Sequence, residues 1–127
     1  IPMFKPPYSH ITAIDMNTGE HLWRLPIGET PDRISQNAAL EGIDIGETGT
    51  GRNAQMLVTK TAFIYTSQFA DGTPALFFVE KQTGEQIGAV EMPGMVNYGI
   101  STYVHEGTQY ILLQTGSKLT TMALADF

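Results

Sequence analysis

The sequence predicts an all-β protein made of antiparallel sheets, and three observations support this prediction. Segments rich in β-branched and aromatic residues are short, no segment has a clear helical period, and glycine-containing turns separate neighbouring segments. Residues 31–40 could form a helical turn or two, but the prolines and glycines around them favour a loop. We expect about nine strands. The segments with the clearest strand pattern are residues 11–14, 55–59, 62–66, 75–79, 86–92, 100–105, 109–114 and 118–124.

Composition narrows the class of protein. With 127 residues, of which 42% are hydrophobic and 16% charged, we expect one modest globular domain. The net charge of −6 and the absence of Lys or Arg clusters argue against nucleic acid as a partner. The apolar runs are too short for a transmembrane segment, and no signal peptide is recognisable from Ile1 onward. The lack of cysteine excludes disulfides, zinc–thiolate sites and cysteine nucleophiles.

Four turns have the composition of β-hairpin turns, at residues 17–19, 71–72, 82–84 and 106–107, and each contains a glycine suited to positive φ. Two of them belong to an internal repeat. Ala13-Ile-Asp-Met-Asn-Thr-Gly-Glu20 recurs as Phe78-Val-Glu-Lys-Gln-Thr-Gly-Glu85, with a Gly- and Pro-rich insert between the copies. A repeated hairpin of this kind favours propeller blades over a sandwich or a closed barrel.

The first copy continues to Trp23, and the whole segment fits the pattern A-x-D-x-x-T-G-x-x-x-W. It resembles the tryptophan-docking signature of the quinoprotein β-propellers, which are dehydrogenases that use pyrroloquinoline quinone. Further segments appear in the order found in the carboxy-terminal part of the glucose dehydrogenase-like branch, so the resemblance covers nearly the whole chain. These segments are Pro6-Pro7-Tyr8, Leu57–Thr59, Phe63–Tyr65, Ser101–Tyr103, Gly107–Ile111 and Met122–Ala125.

The resemblance implies roughly two and a quarter four-stranded antiparallel blades. These comprise an outer hairpin at 9–25, a rim insert at 26–53, a full blade at 54–92 and a three-stranded blade at 98–125. In such blades the Trp ring lies against the neighbouring blade, and its indole N–H finds a backbone carbonyl. The second copy has Gly88 in place of the Trp and Glu80 in place of the Asp. The residues with implied structural roles are Asp15, Thr18, Gly19, Trp23, Thr83 and Gly84.

Gly49–Ala54 also fits the G-x-G-x-x-[GA] fingerprint of a dinucleotide-binding turn. That site needs a strand before the turn and a helix after it, whereas a strand pattern follows here, so we reject nucleotide binding. The resemblance instead places this loop and a later Gly-containing turn near a quinone, although the residues differ from those common in the family. The alternative that these are ordinary turn residues stays open. The candidate cofactor-binding residues are Arg52, Asn53, Gln55, Gly116 and Ser117, and the resemblance also places Ala54 among the cofactor-facing positions.

The sequence assigns no catalytic residue and no metal ligand. His10, His21 and His105 lack ligand spacing, and the acids at 41, 44 and 47 fit a solvated loop better than a calcium loop. No G-x-S-x-G elbow is present. The resemblance implies pyrroloquinoline quinone and calcium in the parent enzyme, with the catalytic Asp and the cation ligands upstream of the matching segment.

The function that follows from the resemblance is oxidation of a sugar or an alcohol in the periplasm. This chain would be a carboxy-terminal fragment or subunit that closes the propeller and contributes at most rim contacts to the quinone. Alone it would be inactive, and whether it binds a cofactor by itself stays open. Its partners would be the remaining blades or further copies of itself, because open sheet edges invite pairing. The alternative is a non-enzymatic blade module that self-assembles as an oligomer or pairs with another chain.

Overall fold

The computed structural model describes residues 5–124, and these contain nine strands, one helical turn and one 3₁₀ turn. The strands are β1 (His10–Ile14), β2 (His21–Pro26), β3 (Met56–Val58), β4 (Ala62–Gln68), β5 (Pro74–Glu80), β6 (Gln86–Glu91), β7 (Val96–His105), β8 (Thr108–Thr115) and β9 (Lys118–Ala123). The helical turn α1 is Asp32–Ser35, and the 3₁₀ turn is Ala38–Leu40.

The strands form three antiparallel sheets in which sequence neighbours are always spatial neighbours. The first sheet is the hairpin β1-β2, the second has the order β3-β4-β5-β6, and the third has the order β7-β8-β9. This arrangement confirms the predicted all-β fold of antiparallel blades. It follows from the short connections, because two to six residues can join only antiparallel strands.

The loop predicted for residues 31–40 is wrong in detail, because two helical turns form there. Pro31 has φ −61° and immediately precedes α1, where a fixed φ favours helix initiation. Ile34 is buried in the middle of α1. The side chain of Asn37 accepts a hydrogen bond from the Ala39 N–H and caps the 3₁₀ turn. Burial of one side chain and one cap therefore suffice to order this part of the insert.

The ends of the sheets differ slightly from the predicted boundaries. β2 extends to Pro26, one residue past the predicted end of the hairpin. β7 begins at Val96, two residues before the predicted start of the third blade, because an irregularity between Val96 and Ile100 lets pairing with β8 continue. Gly99, with φ 105°, lies within this irregularity. Residue 125, the predicted end of that blade, lies outside the described residues.

The internal repeat extends to the strand register. In the first hairpin the pairing shifts by one residue after Ala13↔Trp23, and in the second it shifts after Phe78↔Gly88. These positions are equivalent in the two copies of the repeat. Both hairpins therefore carry the same bulge next to the same turn.

The two central strands of the second sheet, β4 and β5, are buried on both faces. One face of β4 and β5 packs against the β1-β2 hairpin, and the other face packs against the third sheet. Alternation along each strand produces this division, since neighbouring side chains point to opposite faces. Toward the hairpin lie Phe63, Tyr65, Ala75, Phe77 and Val79, and toward the third sheet lie Ile64, Leu76 and Phe78.

Candidate functional site

The first repeat turn is held by side-chain caps. The carboxylate of Asp15 accepts hydrogen bonds from the backbone N–H groups of Asn17 (2.7 Å) and Thr18 (3.3 Å). The hydroxyl of Thr18 accepts from the N–H of Glu20 at 3.2 Å. Gly19 completes the turn with φ 75°, a conformation that costs side-chain-bearing residues free energy.

The second repeat turn uses the same hydrogen bonds with a longer acid. The carboxylate of Glu80 accepts from the N–H groups of Gln82 (3.1 Å) and Thr83 (2.7 Å). The hydroxyl of Thr83 accepts from the N–H of Glu85 at 3.2 Å, and Gly84 has φ 76°. The hydrogen bonds from Thr83, followed by that from Gln82, lower the pKa of Glu80 below its ordinary value. Glutamate therefore replaces aspartate here without loss of the cap.

Trp23 joins these two turns across the first interface between sheets. Its indole N–H donates to the backbone carbonyl of Lys81 at 2.9 Å. Its ring lies directly against Gly84, where a Cβ would be 2.7 Å from two ring carbons. At the equivalent position of the second copy, Gly88 has open space around it, with no heavy atom within 4 Å of an added Cβ.

A series of aromatic rings continues inward from Trp23. Its ring centroid is 6.1 Å from that of Phe63, Phe63 stacks on Tyr65 at 5.7 Å, and Tyr65 stacks on Phe77 at 5.1 Å. The hydroxyl of Tyr65 accepts a hydrogen bond from the Gly28 N–H at 3.4 Å. Burial raises the pKa of Tyr65, and the bond from Gly28 opposes this to a smaller extent. The hairpin is thus fixed to the second sheet by a largely aromatic interface.

The glycine-rich stretch has a structural role in the insert. No helix follows it, because β3 begins at Met56. Gly49 has φ 68°, and a Cβ on it would lie 2.7 Å from the carbonyl oxygen of Ser9. The N–H of Gly51 donates to the hydroxyl of Ser9 at 3.0 Å, and the N–H of Thr50 donates to the carbonyl of Ile27 at 2.8 Å. The glycines therefore let the insert lie against the start of the hairpin.

The structure does not bring the five candidate cofactor residues together. Arg52 lines a cavity of about 280 Å³ between the insert and the β4–β5 turn. Asn53 and Gln55 line a different cavity of about 540 Å³ beside β1, and the Gln55 amide donates to the carbonyl of Asn97 at 3.3 Å. Gly116 and Ser117 form the β8–β9 turn and line neither cavity.

The five candidate residues are divided among two cavities and the β8–β9 turn. Arg52 lines one cavity, and Asn53 and Gln55 line the other. Residues 5–124 contain no group of three His, Asp or Glu side chains that could hold a metal ion. The histidines have different surroundings. His10 contacts the Arg24 guanidinium, and His105 lies 3.9 Å from the Glu106 carboxylate. In the part of the chain that is described, no helix has the length and hydropathy to cross a membrane.

Two important partners could not be found from the sequence. The acceptor for Trp23 is a backbone carbonyl, which every residue carries, so no side chain marks Lys81 as the acceptor. Arg33 lines the same cavity as Arg52, but it lies in a segment predicted as an ordinary loop. No sequence motif includes both arginines, so the sequence alone does not place them in the same site.

Comparison with known proteins agrees with the fold and the repeat. The family model for glucose/ethanol/alcohol dehydrogenase β-propeller domains, which bears the name PQQ, matches residues 1–111. The glycerol dehydrogenase large subunit of Gluconobacter thailandicus is 29% identical over 116 residues, and that of Gluconobacter oxydans (strain 621H) is 28% identical over 116 residues. Each alignment covers 88% of this chain but 15% of the relative.

No solved structure matches the chain. The family match spans most of the sequence, including both copies of the repeat and the aromatic interface between them. The chain therefore belongs to the PQQ family of glucose/ethanol/alcohol dehydrogenase β-propeller domains.

Proposed function

We propose that this chain is the carboxy-terminal part of the propeller of a larger PQQ-dependent sugar or alcohol dehydrogenase, in which it closes the ring of blades. The observation that carries this proposal is the stacking of three successive sheets, with the central strands of the middle sheet buried on both faces. Blades that bury both faces are units of a larger stack. We propose that the chain is divided along this stack into the hairpin at 9–25, the rim insert at 26–53, the full blade at 54–92 and the three-stranded blade at 98–125.

The partial match to the relatives supports a fragment of a larger enzyme. The chain spans 15% of the length of the glycerol dehydrogenase large subunits that it matches. Their name points to a polyol as the alcohol substrate of the parent enzyme. We further propose that the parent acts in the periplasm and passes electrons to a respiratory quinone.

We propose that the quinone and a calcium ion are held by residues outside this chain. Bound pyrroloquinoline quinone would supply the electron acceptor for substrate oxidation. The side chains of Arg52, Asn53 and Gln55, together with the Gly116–Ser117 turn, would contribute at most contacts at its rim. The proposed role of Asp15, Thr18, Gly19, Trp23, Thr83 and Gly84 is structural. Asp15, Thr18, Gly19 and Thr83 shape the two repeat turns, and Trp23 and Gly84 join the first two sheets.

The test compares the purified 127-residue chain with the full-length gene product that contains it. Both are supplied with pyrroloquinoline quinone and calcium, and dye reduction is followed with glucose, glycerol and simple alcohols. We expect turnover by the full-length protein and none by the chain alone. Turnover by the isolated chain would contradict the proposed role, and an inactive full-length protein would contradict the proposed dehydrogenase.

A second candidate function is a non-enzymatic module that self-assembles. It is favoured by apolar side chains on the outer face of the third sheet, where Tyr103 is 45% exposed and stacks on Tyr110, and Leu119 is 72% exposed. Multi-angle light scattering of the chain tests this alternative. A stable monomer across the concentration range would contradict assembly from identical copies.

A further inference from the structure

The cavity between the rim insert and the β4–β5 turn has walls fixed to each other by hydrogen bonds. The N–H of Asp32 donates to the carbonyl of Ala70 at 2.8 Å, and the N–H of Ala70 donates to the carboxylate of Glu29 at 2.8 Å. The N–H of Glu29 also donates to the carbonyl of Gln68 at 3.3 Å. The cavity is therefore formed before any ligand binds, which lowers the entropic cost of binding.

Two arginines line this cavity and both are exposed, although the chain as a whole carries a net charge of −6. Arg33 enters from α1, and Arg52 enters from the end of the glycine-rich stretch. Among residues 5–124 neither arginine forms an ion pair. Because each guanidinium has five N–H donors arranged for carboxylate or phosphate oxygens, two arginines that line one cavity can bind the same anion.

The acidic side chains around the cavity differ in the hydrogen bonds that they accept. The carboxylate of Glu29 is bound to the Ala70 N–H, and the carboxylate of Asp71 accepts from the Thr73 N–H at 2.8 Å inside the turn. Hydrogen bonds from Thr73 lower the pKa of Asp71, so this group stays ionised. Asp32 also lines the cavity. The carboxylates of Asp32 and Asp71 in the lining repel a multiply charged anion, and each can accept a hydrogen bond from a ligand hydroxyl.

We propose that this cavity is a binding site for a small hydroxycarboxylate, whose carboxylate pairs with Arg33 and Arg52 and whose hydroxyls bind Asp32 and Gln68. The volume of about 280 Å³ suits a small molecule. A single negative charge balances the guanidinium groups against the two acids better than phosphate does. Arg52 then belongs to this site, apart from the cavity lined by Asn53 and Gln55.

The ligand class also connects this site to the proposed reaction. Oxidation of an aldose at its anomeric carbon gives a lactone, and hydrolysis of the lactone gives a hydroxycarboxylate. The site would thus bind the product class of a parent enzyme that oxidises an aldose, whereas a polyol substrate would give an aldehyde or a ketone, and this connection rests on the proposed function. The binding site itself rests on the two arginines and the fixed cavity.

The test uses the full-length gene product and isothermal titration calorimetry. The probes are gluconate, the neutral glucitol and inorganic phosphate. The double variant Arg33→Gln/Arg52→Gln removes both charges, and Arg24→Gln is the matched control, because Arg24 is an exposed arginine on β2 that contacts His10 outside the cavity. We expect the double variant to bind gluconate about ten-fold more weakly or worse, since it loses charge-assisted hydrogen bonds. We expect the control to bind it normally.

Several outcomes would overturn the site. They are equal gluconate affinity in the double variant and the wild type, no gluconate binding by the wild type, or glucitol binding that matches gluconate. Phosphate binding tighter than gluconate binding would overturn the ligand class. Dehydrogenase activity is measured on the same samples. An active enzyme without arginine-dependent gluconate binding rejects the site alone, whereas arginine-dependent binding by an inactive protein rejects the proposed function alone.

Discussion

The indole ring of Trp23 lies so close to Gly84 that a Cβ on residue 84 would be 2.7 Å from two of the ring carbons. The two residues come from different sheets, and each belongs to one copy of the internal repeat. Since the indole N–H also binds the carbonyl of Lys81, the ring is held at both its edge and its face. One copy of the repeat therefore serves as the docking surface for the other.

This contact predicts that Gly84→Ala destabilises the protein more than Gly19→Ala. The two glycines have nearly the same φ, 76° and 75°, so both variants bear a similar backbone strain. A Cβ at residue 19 meets nothing within 4 Å, whereas at residue 84 it meets the Trp23 ring. We expect the difference in unfolding free energy to be about 1–3 kcal/mol, measured by urea unfolding. Equal losses would show that the ring moves aside without cost.

A separate prediction concerns the hydrogen bond from the Trp23 indole N–H to the Lys81 carbonyl. Trp23→Phe keeps an aromatic ring near Phe63 but removes the N–H donor, so we expect a loss of about 1 kcal/mol or somewhat more. Trp23→Ala also removes the ring, and we expect a loss near ~3 kcal/mol. The measurement is again the unfolding free energy. If Phe restores none of the stability lost in Ala, packing of the ring is not the main contribution.

Two neighbouring hydroxyls on β4 provide a matched pair. Thr66 is buried and its hydroxyl accepts a hydrogen bond from the Gln55 N–H at 3.0 Å, while Ser67 is buried and its hydroxyl has no partner among the described residues. We expect Thr66→Val to cost about 1 kcal/mol, because it leaves the half-buried Gln55 N–H without its hydrogen bond. We expect Ser67→Ala to be neutral or stabilising. A larger loss for Ser67→Ala would reveal a hydrogen bond to that hydroxyl.

The cap at Glu80 predicts a weak dependence of stability on acid. The pKa of Glu80 in the folded protein is lowered from 4.5, chiefly by its hydrogen bonds with Thr83. The carboxylate therefore stabilises the fold above about pH 4.5, and this contribution is lost as the pH falls through the lower folded pKa. Because the hydrogen bonds of this carboxylate lie in an exposed turn, the effect is small. Thr83→Val removes the side-chain hydrogen bond of Thr83, so it should move the pKa of Glu80 back toward 4.5. Carbon NMR of the Glu80 carboxylate measures this pKa.

Glu85→Gln is the control for that titration, because its side chain makes no hydrogen bond among the described residues and lies beside the same turn. It should leave the Glu80 titration unchanged. A Glu80 pKa that does not respond to Thr83→Val would contradict the assigned cause of the shift.

Much of the fold was predictable because its signals are local. Alternating apolar residues placed the strands, and glycines at 19, 72, 84 and 107, all with positive φ, placed the turns. The helical turns at 32–40 were recognised as an option, but a loop was preferred, because the burial of Ile34 depends on where the insert lies. The position of that insert against Ser9 and Ile27 is a tertiary property.

The sequence by itself determined the class of fold, the repeated turn and its caps, since a carboxylate and a hydroxyl act on backbone groups two or three residues away. Only the tertiary structure decided that Trp23 binds a carbonyl 58 residues away, and that Arg52 joins Arg33 instead of Asn53 and Gln55. The physical reason is that backbone acceptors look alike in every residue. The partner of a long side chain depends on which segments the packing of the sheets brings within its reach.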